Sequence, residues 1–178
     1  LTTDHPDLSL HSQCVVAPHT FNLPTFYLQL PSHLPYNWGM RVILSHENAD
    51  FDAVASQLGA WKLDPHATPV LPQRLNRNVQ DFVTRHASAL PFRRRSQLPR
   101  RSVEAATVVD AQGVVQVRGM KPDTPVRLVD HHPLTRELAP GMTFEGEETG
   151  ACTTLFVEKM AEAGSDVTPI EATLLLLG

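Results

Sequence analysis

Three clusters of acidic and imidazole side chains stand out: His46 with Asp50 and Asp52, then Asp110, then the run Asp130-His131-His132. Brought to one place, four carboxylates would repel one another unless cations neutralised them. Oxygen-rich ligands with one or two imidazoles suit Mn²⁺ or Mg²⁺, and next Co²⁺ or Fe²⁺, better than a structural zinc. Each cluster alone has a plainer explanation. An aspartate after a strand commonly caps a helix, and Asp52 could cap the helix that starts beside it. A lone histidine at a strand end is commonly hydrogen-bonded and nothing more. The chemistry therefore depends on the elements that would bring the clusters together.

Those elements are legible from Met40 onward. Residues 41–46 read as a strand. Residues 52–63 carry Val54, Ala55, Leu58 and Trp61 at helical spacing. Residues 68–71 form a second strand, and 76–87 a helix with Val79, Phe82 and Val83 on one face. Strands follow at 105–109 and 126–129, then a helix over 151–163 closed by Gly164. Pro169 fits the first position of a last helix, with Thr168 as its cap. Wholly apolar strands separated by helices indicate a parallel sheet covered on both faces, an α/β doubly wound domain. In such folds ligands sit beyond the carboxyl ends of the strands. All three clusters fall at such ends.

Composition narrows the possibilities. At 178 residues with 42% hydrophobic content the chain can build one domain with a real core. Its longest purely apolar run, Leu174 to Leu177, is far below the ~20 residues of a membrane-spanning helix. Cys14 and Cys152 are too few for a disulfide framework or a four-thiolate zinc site, and read as free thiols in a reducing compartment. Residues 1–39 hold no Lys or Arg, five of the 15 prolines and four of the nine histidines, with no periodicity. They are expected to be an irregular, non-native leader, with Met40 as the natural start. The end at Leu174–Leu177 presents four leucines expected to be exposed, so the chain reads as a fragment whose partner elements follow Gly178.

Net charge is −4, yet eight of the 12 arginines lie between Arg74 and Arg101 with only Asp81 against them. That segment carries +7 and the remainder −11. A phosphate-rich ligand such as RNA would be drawn to it. Arg74 and Arg77 follow the second strand and are the candidates for substrate binding. Arg93, Arg94 and Arg95 lie between prolines and are expected in a loop. The segment's aromatics are only Phe82 and Phe92, so base stacking is not indicated. Glu145, Glu147 and Glu148 read as a solvated turn, and Cys152 as packing.

In order and spacing the clusters resemble the DHH phosphoesterase superfamily. Its first motif is similar to His46-Glu-Asn-Ala-Asp50-Phe-Asp52, its second to Val108-Val-Asp110, and its third to Val129-Asp130-His131-His132-Pro133. Gly150-Ala-Cys-Thr-Thr154 resembles the family's small-residue segment, and Ala49 stands where the family usually has proline. The resemblance implies a shell of His46, Asp50, Asp52, Asp110, Asp130 and His131 around two Mn²⁺ ions, with Mg²⁺ or Co²⁺ as substitutes. Asp110 would bridge the ions and His132 would face the phosphate. It implies hydrolysis of phosphodiester or phosphoanhydride bonds in nucleotides or short RNA by an activated water. One further family aspartate and the substrate domain would lie beyond Gly178. The stretch Val70–Phe82 looks like the DHH unit of long bacterial proteins that continue into CBS domains and a tRNA nucleotidyltransferase or poly(A) polymerase head. A cytoplasmic location follows from that likeness, and a homodimer is compatible with it. Two other readings stay open: a metal- and RNA-binding module that does not cut, and a manganese inorganic pyrophosphatase.

Overall fold

The computed structural model describes residues 39–178. Apart from Gly39, the expected leader lies outside the described residues, as does Cys14. The elements are β1 (Met40–Leu44), α1 (Phe51–Leu63), β2 (Thr68–Leu71), α2 (Arg77–Arg85), β3 (Arg93–Arg94), β4 (Val103–Val109), β5 (Val126–Val129), β6 (Met142–Glu145), α3 (Cys152–Glu162) and α4 (Pro169–Leu177). The six strands form one sheet in the order β3-β2-β1-β4-β5-β6, and every pairing is parallel. From β1 at the centre the strands run out through β2 and β3, and β4 returns to the other side of β1. The topological switch point is therefore between β1 and β4.

The parallel α/β architecture expected from the apolar strands is the observed one. Side chains alternate along β1: Val42 and Leu44 pack with Val108 and Leu128, while Ile43 packs with Val109 and Val129. Among the described residues, all four helices join the cores on the Ile43 face. The other face is closed by irregular segments that supply Leu98, Val114, Val117, Met120 and Leu138. At Gly59, α1 comes so close to α3 that a Cβ there would lie 2.5 Å from that of Phe156. Gln57, fully buried on α1, donates through Nε2 to the carbonyls of Ile43 and Val70, and so laces β1 to β2.

Three expectations are corrected. Arg93 and Arg94 are not loop residues but a two-residue edge strand on β2; two exposed arginines give no apolar signal of it. Glu145 is not in a turn but ends edge strand β6, where it pairs with Arg127 and Lys159. The C-terminal leucines are not all exposed. The Thr168–Glu171 capping box and Pro169 start α4 as expected, but the Lys62–Glu171 ion pair (3.0 Å) helps seat it on α1. Leu174 is thereby fully buried, while Leu176 and Leu177 stay 87% and 48% exposed.

Candidate metal centre

The carboxyl ends of β1, β4 and β5 meet at the switch point, and the loops that leave them carry all three clusters. After β1 the backbone turns at Asn48, which adopts the left-handed region (φ 58°). Asp50 then caps α1 by accepting from the Ala53 N–H (3.1 Å). Asp110, directly after β4, is also left-handed (φ 52°), an uncommon conformation for a residue other than glycine. His46, Asp50, Asp52, Asp110, His131 and His132 line an open cleft of about 560 Å³, with Gly150, Ala151 and Gly178. Asp130, nearly fully buried, supports His132 from beneath.

Within the cleft the possible ligand atoms fall into two compact groups. Asp110, Asp130, His131 and His132 form one; His46, Asp50 and Asp110 form the other. Donor atoms in each lie within 4.8 Å of one another, and Asp110 belongs to both. Its carboxylate faces His46 Nε2 at 3.3 Å and His131 Nε2 at 3.7 Å.

The imidazoles are oriented by their far nitrogens. Nδ1 of His46 bonds to the carbonyl of Glu47 (2.8 Å), and Nδ1 of His131 to that of Thr149 (2.9 Å). A carbonyl only accepts, so in both rings Nδ1 carries the hydrogen. Nε2 is then the free nitrogen of the neutral ring, and in both it points at carboxylates. A lone pair facing a carboxylate is unfavourable without a proton or a cation between them. A fixed Nδ1–H and an inward Nε2 are what a metal-ligating histidine requires. The donor set thus fits a divalent cation.

The electrostatics agree. Burial first, then the charge of Asp52, pushes the Asp110 carboxyl up to about 6, against relief from His46. The pKa of His132 is raised, chiefly by its hydrogen bond to Asp130 (3.0 Å). Burial pushes the Cys152 thiol up to about 12, so it is no nucleophile; it donates to the Val129 carbonyl.

Three predicted residues stand differently. Asp52 does not cap its own helix; Asp50 does. Asp52 instead reaches the start of α3, accepting from the backbone N–H groups of Cys152 (2.8 Å) and Thr153 (2.7 Å) and from the Thr153 hydroxyl (2.7 Å). It lines the cleft, with Oδ2 3.8 Å from His131 Nε2, but belongs to neither compact group. Arg74 and Arg77 are exposed and do not line the cleft. The arginine-rich segment is tied to the site through Glu47, which accepts from the Arg74 backbone (3.1 Å) and from Arg95 Nη2 (2.6 Å).

No family model matches the chain. Relatives it is similar to include the A-adding tRNA nucleotidyltransferases of Geobacter sulfurreducens, 32% identical over 145 residues, and Aquifex aeolicus, 31% over 142. Each match covers 78% of this chain but only 16% of the relative. In shape the chain is similar to a Methanococcus jannaschii protein described as a family II inorganic pyrophosphatase. The TM-score is 0.55 at 19% identity, over 77% of this chain and 46% of that one. That likeness is one of fold.

Sequence reasoning missed the supporting residues. Glu47 and Thr149 act through main-chain carbonyls, which any residue type supplies, so no sequence signal could have found them. Gly146 has a signal only in hindsight: a Cβ there would sit 2.3 Å from the Asp130 carbonyl oxygen.

Proposed function

We propose that the chain is a metal-dependent phosphoesterase domain of the DHH superfamily, acting on phosphodiester or phosphoanhydride bonds of nucleotides or short RNA. The observation that carries this reading is the membership of Asp110 in both donor groups. A carboxylate common to two donor groups could help to hold both ions of a two-ion centre. His46 and Asp50 would complete one site, and Asp130 and His131 the other, with Asp52 reaching the second through Oδ2. Mn²⁺ fits this mixed carboxylate–imidazole set, and Mg²⁺ or Co²⁺ could replace it. When bound, such ions lower the pKa of water and so supply a nucleophile near neutral pH.

The chain's own groups supply the rest. His132 is exposed, and its Nδ1 is engaged by Asp130, which favours the protonated ring. It is suited to offset charge on a phosphate oxygen in the transition state. Asp110, Asp50 and Asp52 would repel a bare phosphate, so these residues favour substrate only in the loaded centre. The test is a calorimetric Mn²⁺ titration of the chain and of Asp130→Ala, followed by assay of a short RNA. The reading expects about two ions per chain, bound in an Asp130-dependent way, and metal-dependent release of nucleotide. A folded chain with no Asp130-dependent binding would refute it.

The tRNA nucleotidyltransferase relatives favour a second reading, a metal- and RNA-binding module of a longer protein that does not cut. CBS and nucleotidyltransferase domains, a cytoplasmic location and pairing of two copies belong to that proposal. RNA binding without any phosphate release would select it. The pyrophosphatase reading rests on a shared fold alone.

A further inference from the structure

Beside the metal centre, between the start of α1 and the outer face of α2, lies a second cavity of about 250 Å³ lined by Phe51, Asn78, Asp81, Phe82, Arg85 and His86. We infer that this cavity is a nucleobase subsite serving the same ligand whose phosphate meets the carboxylates. Phe51 is the first residue of α1 and sits in sequence between Asp50 and Asp52. Its ring meets that of Phe82 edge-on, with centroids 6.0 Å apart and planes at 81°. His86, one turn along, tilts against Phe82, with centroids 4.8 Å apart and planes at 52°. All three rings are partly open to solvent rather than sealed in the core.

The remaining lining suits a flat heterocycle. Asn78, Asp81 and Arg85 surround Phe82 on α2 at helical spacing. Asn78 both donates and accepts, Asp81 accepts and Arg85 donates, so a base edge finds partners of either kind. Aromatic faces bordered by such groups are how single-stranded nucleotides are held. A base-free ligand such as pyrophosphate makes no use of them. The sequence hides this arrangement, because Phe51 lies far from the arginine-rich segment and only the fold brings it to Phe82.

Only the location of the phosphate rests on the phosphoesterase reading, so the test uses binding rather than turnover. The Mn²⁺-saturated chain is titrated calorimetrically with AMP and with ribose 5-phosphate, which lacks the base. AMP should bind about 5- to 150-fold tighter, the range that one stacked base contributes. Phe82→Leu, with its unfolding midpoint checked, should remove that preference, and Phe82→Trp should keep it. His86→Ala, at the exposed end of α2, should weaken AMP and leave ribose 5-phosphate unchanged. Equal binding of the two ligands, or an AMP preference that survives Phe82→Leu, would overturn the inference. A chain that prefers AMP through Phe82 yet hydrolyses nothing refutes the phosphoesterase reading and leaves the subsite standing. Hydrolysis with no base preference refutes the subsite alone.

Discussion

Asp52→Ala tests whether a residue of the candidate centre is also a structural fastening. From the family resemblance alone, this substitution should abolish metal-dependent hydrolysis and leave the fold intact. The structure adds a cost in stability. The carboxylate of Asp52 takes up two backbone N–H groups at the start of α3, from Cys152 and Thr153, and the Thr153 hydroxyl. Cys152 and Thr153 are nearly fully buried, so the donors freed by alanine find little water. An orphaned donor of this kind costs ~1–3 kcal/mol. The Asp52 side chain is itself 17% exposed, so solvent recovers part of that cost. The total should be about 2–4 kcal/mol, which lowers the midpoint of a domain this size by roughly 5–15 °C. Asp52→Asn keeps one acceptor but sets an NH₂ against the other donor, and should fall between alanine and wild type. The control is Asp50→Ala, which loses one cap bond to the Ala53 N–H and should cost ~0.5–2 kcal/mol. Thermal and urea unfolding without metal measure all three. An Asp52→Ala midpoint within about 2 °C of wild type would refute the reasoning, because the α3 anchor would then be worth nothing.

Other predictions follow from the same geometry. The Asp110 carboxyl is raised from 3.8 to about 6, so the folded state holds that proton more tightly than the unfolded chain and ionised Asp110 costs stability above pH 6. Asp110→Asn should therefore stabilise the metal-free chain at pH 8 by up to about 3 kcal/mol, with the gain vanishing below pH 4 in urea titrations. Glu171 behaves oppositely: burial raises its pKa, but the bonds from Thr168 and Lys62 outweigh it and the net shift is downward. Its contribution is present above the ordinary 4.5 and lost as pH falls through the lowered value. Glu171→Gln should cost ~1–3 kcal/mol at pH 7 and progressively less in acid, read by unfolding at each pH. Gly59→Ala should destabilise despite alanine's better helix propensity, since its methyl would strike Phe156; a raised unfolding midpoint would contradict the observed close approach of α1 and α3.

The central strands were legible because parallel strands covered on both faces are mostly apolar, as β1, β2, β4 and β5 are, with Arg41, Thr68, Glu104, Thr107 and Arg127 as the exceptions. The edge strands were not. Among the described residues, Arg93–Arg94 and Met142–Glu145 each pair with one strand only, so pairing places little demand on their composition. The convergence of the clusters was legible for a topological reason: residues after parallel strands share one rim. The division of labour among them was not. Whether an aspartate at such a rim caps its own helix, anchors a neighbouring one or stays free depends on where α3 begins, and nothing local to Asp52 encodes that. The aromatic cluster was hidden for the same reason, since Phe51 and Phe82 are brought together by the packing of α1 on α2.

The disposition of the helix starts also bears on the chemistry. In switch-point crevices a helix N-terminus commonly holds a phosphate through its free N–H groups. Here both helices that begin at the cleft are already occupied. Asp50 fills the N-terminus of α1, and Asp52 that of α3. Each carboxylate uses up donors that would otherwise greet an anion and adds a negative charge of its own. Asp110 and Asp130 add two more beside them. The crevice is thus closed to bare phosphate on both counts, by spent donors and by charge. Three imidazoles cannot reverse that balance, because His46 and His131 are oriented with Nε2 toward the carboxylates rather than outward. Only His132 presents an exposed, proton-favouring ring. On the proposed reading, anion binding at this rim would draw on added positive charge at the carboxylates, and Asp110, common to both donor groups, would be the residue to hold it.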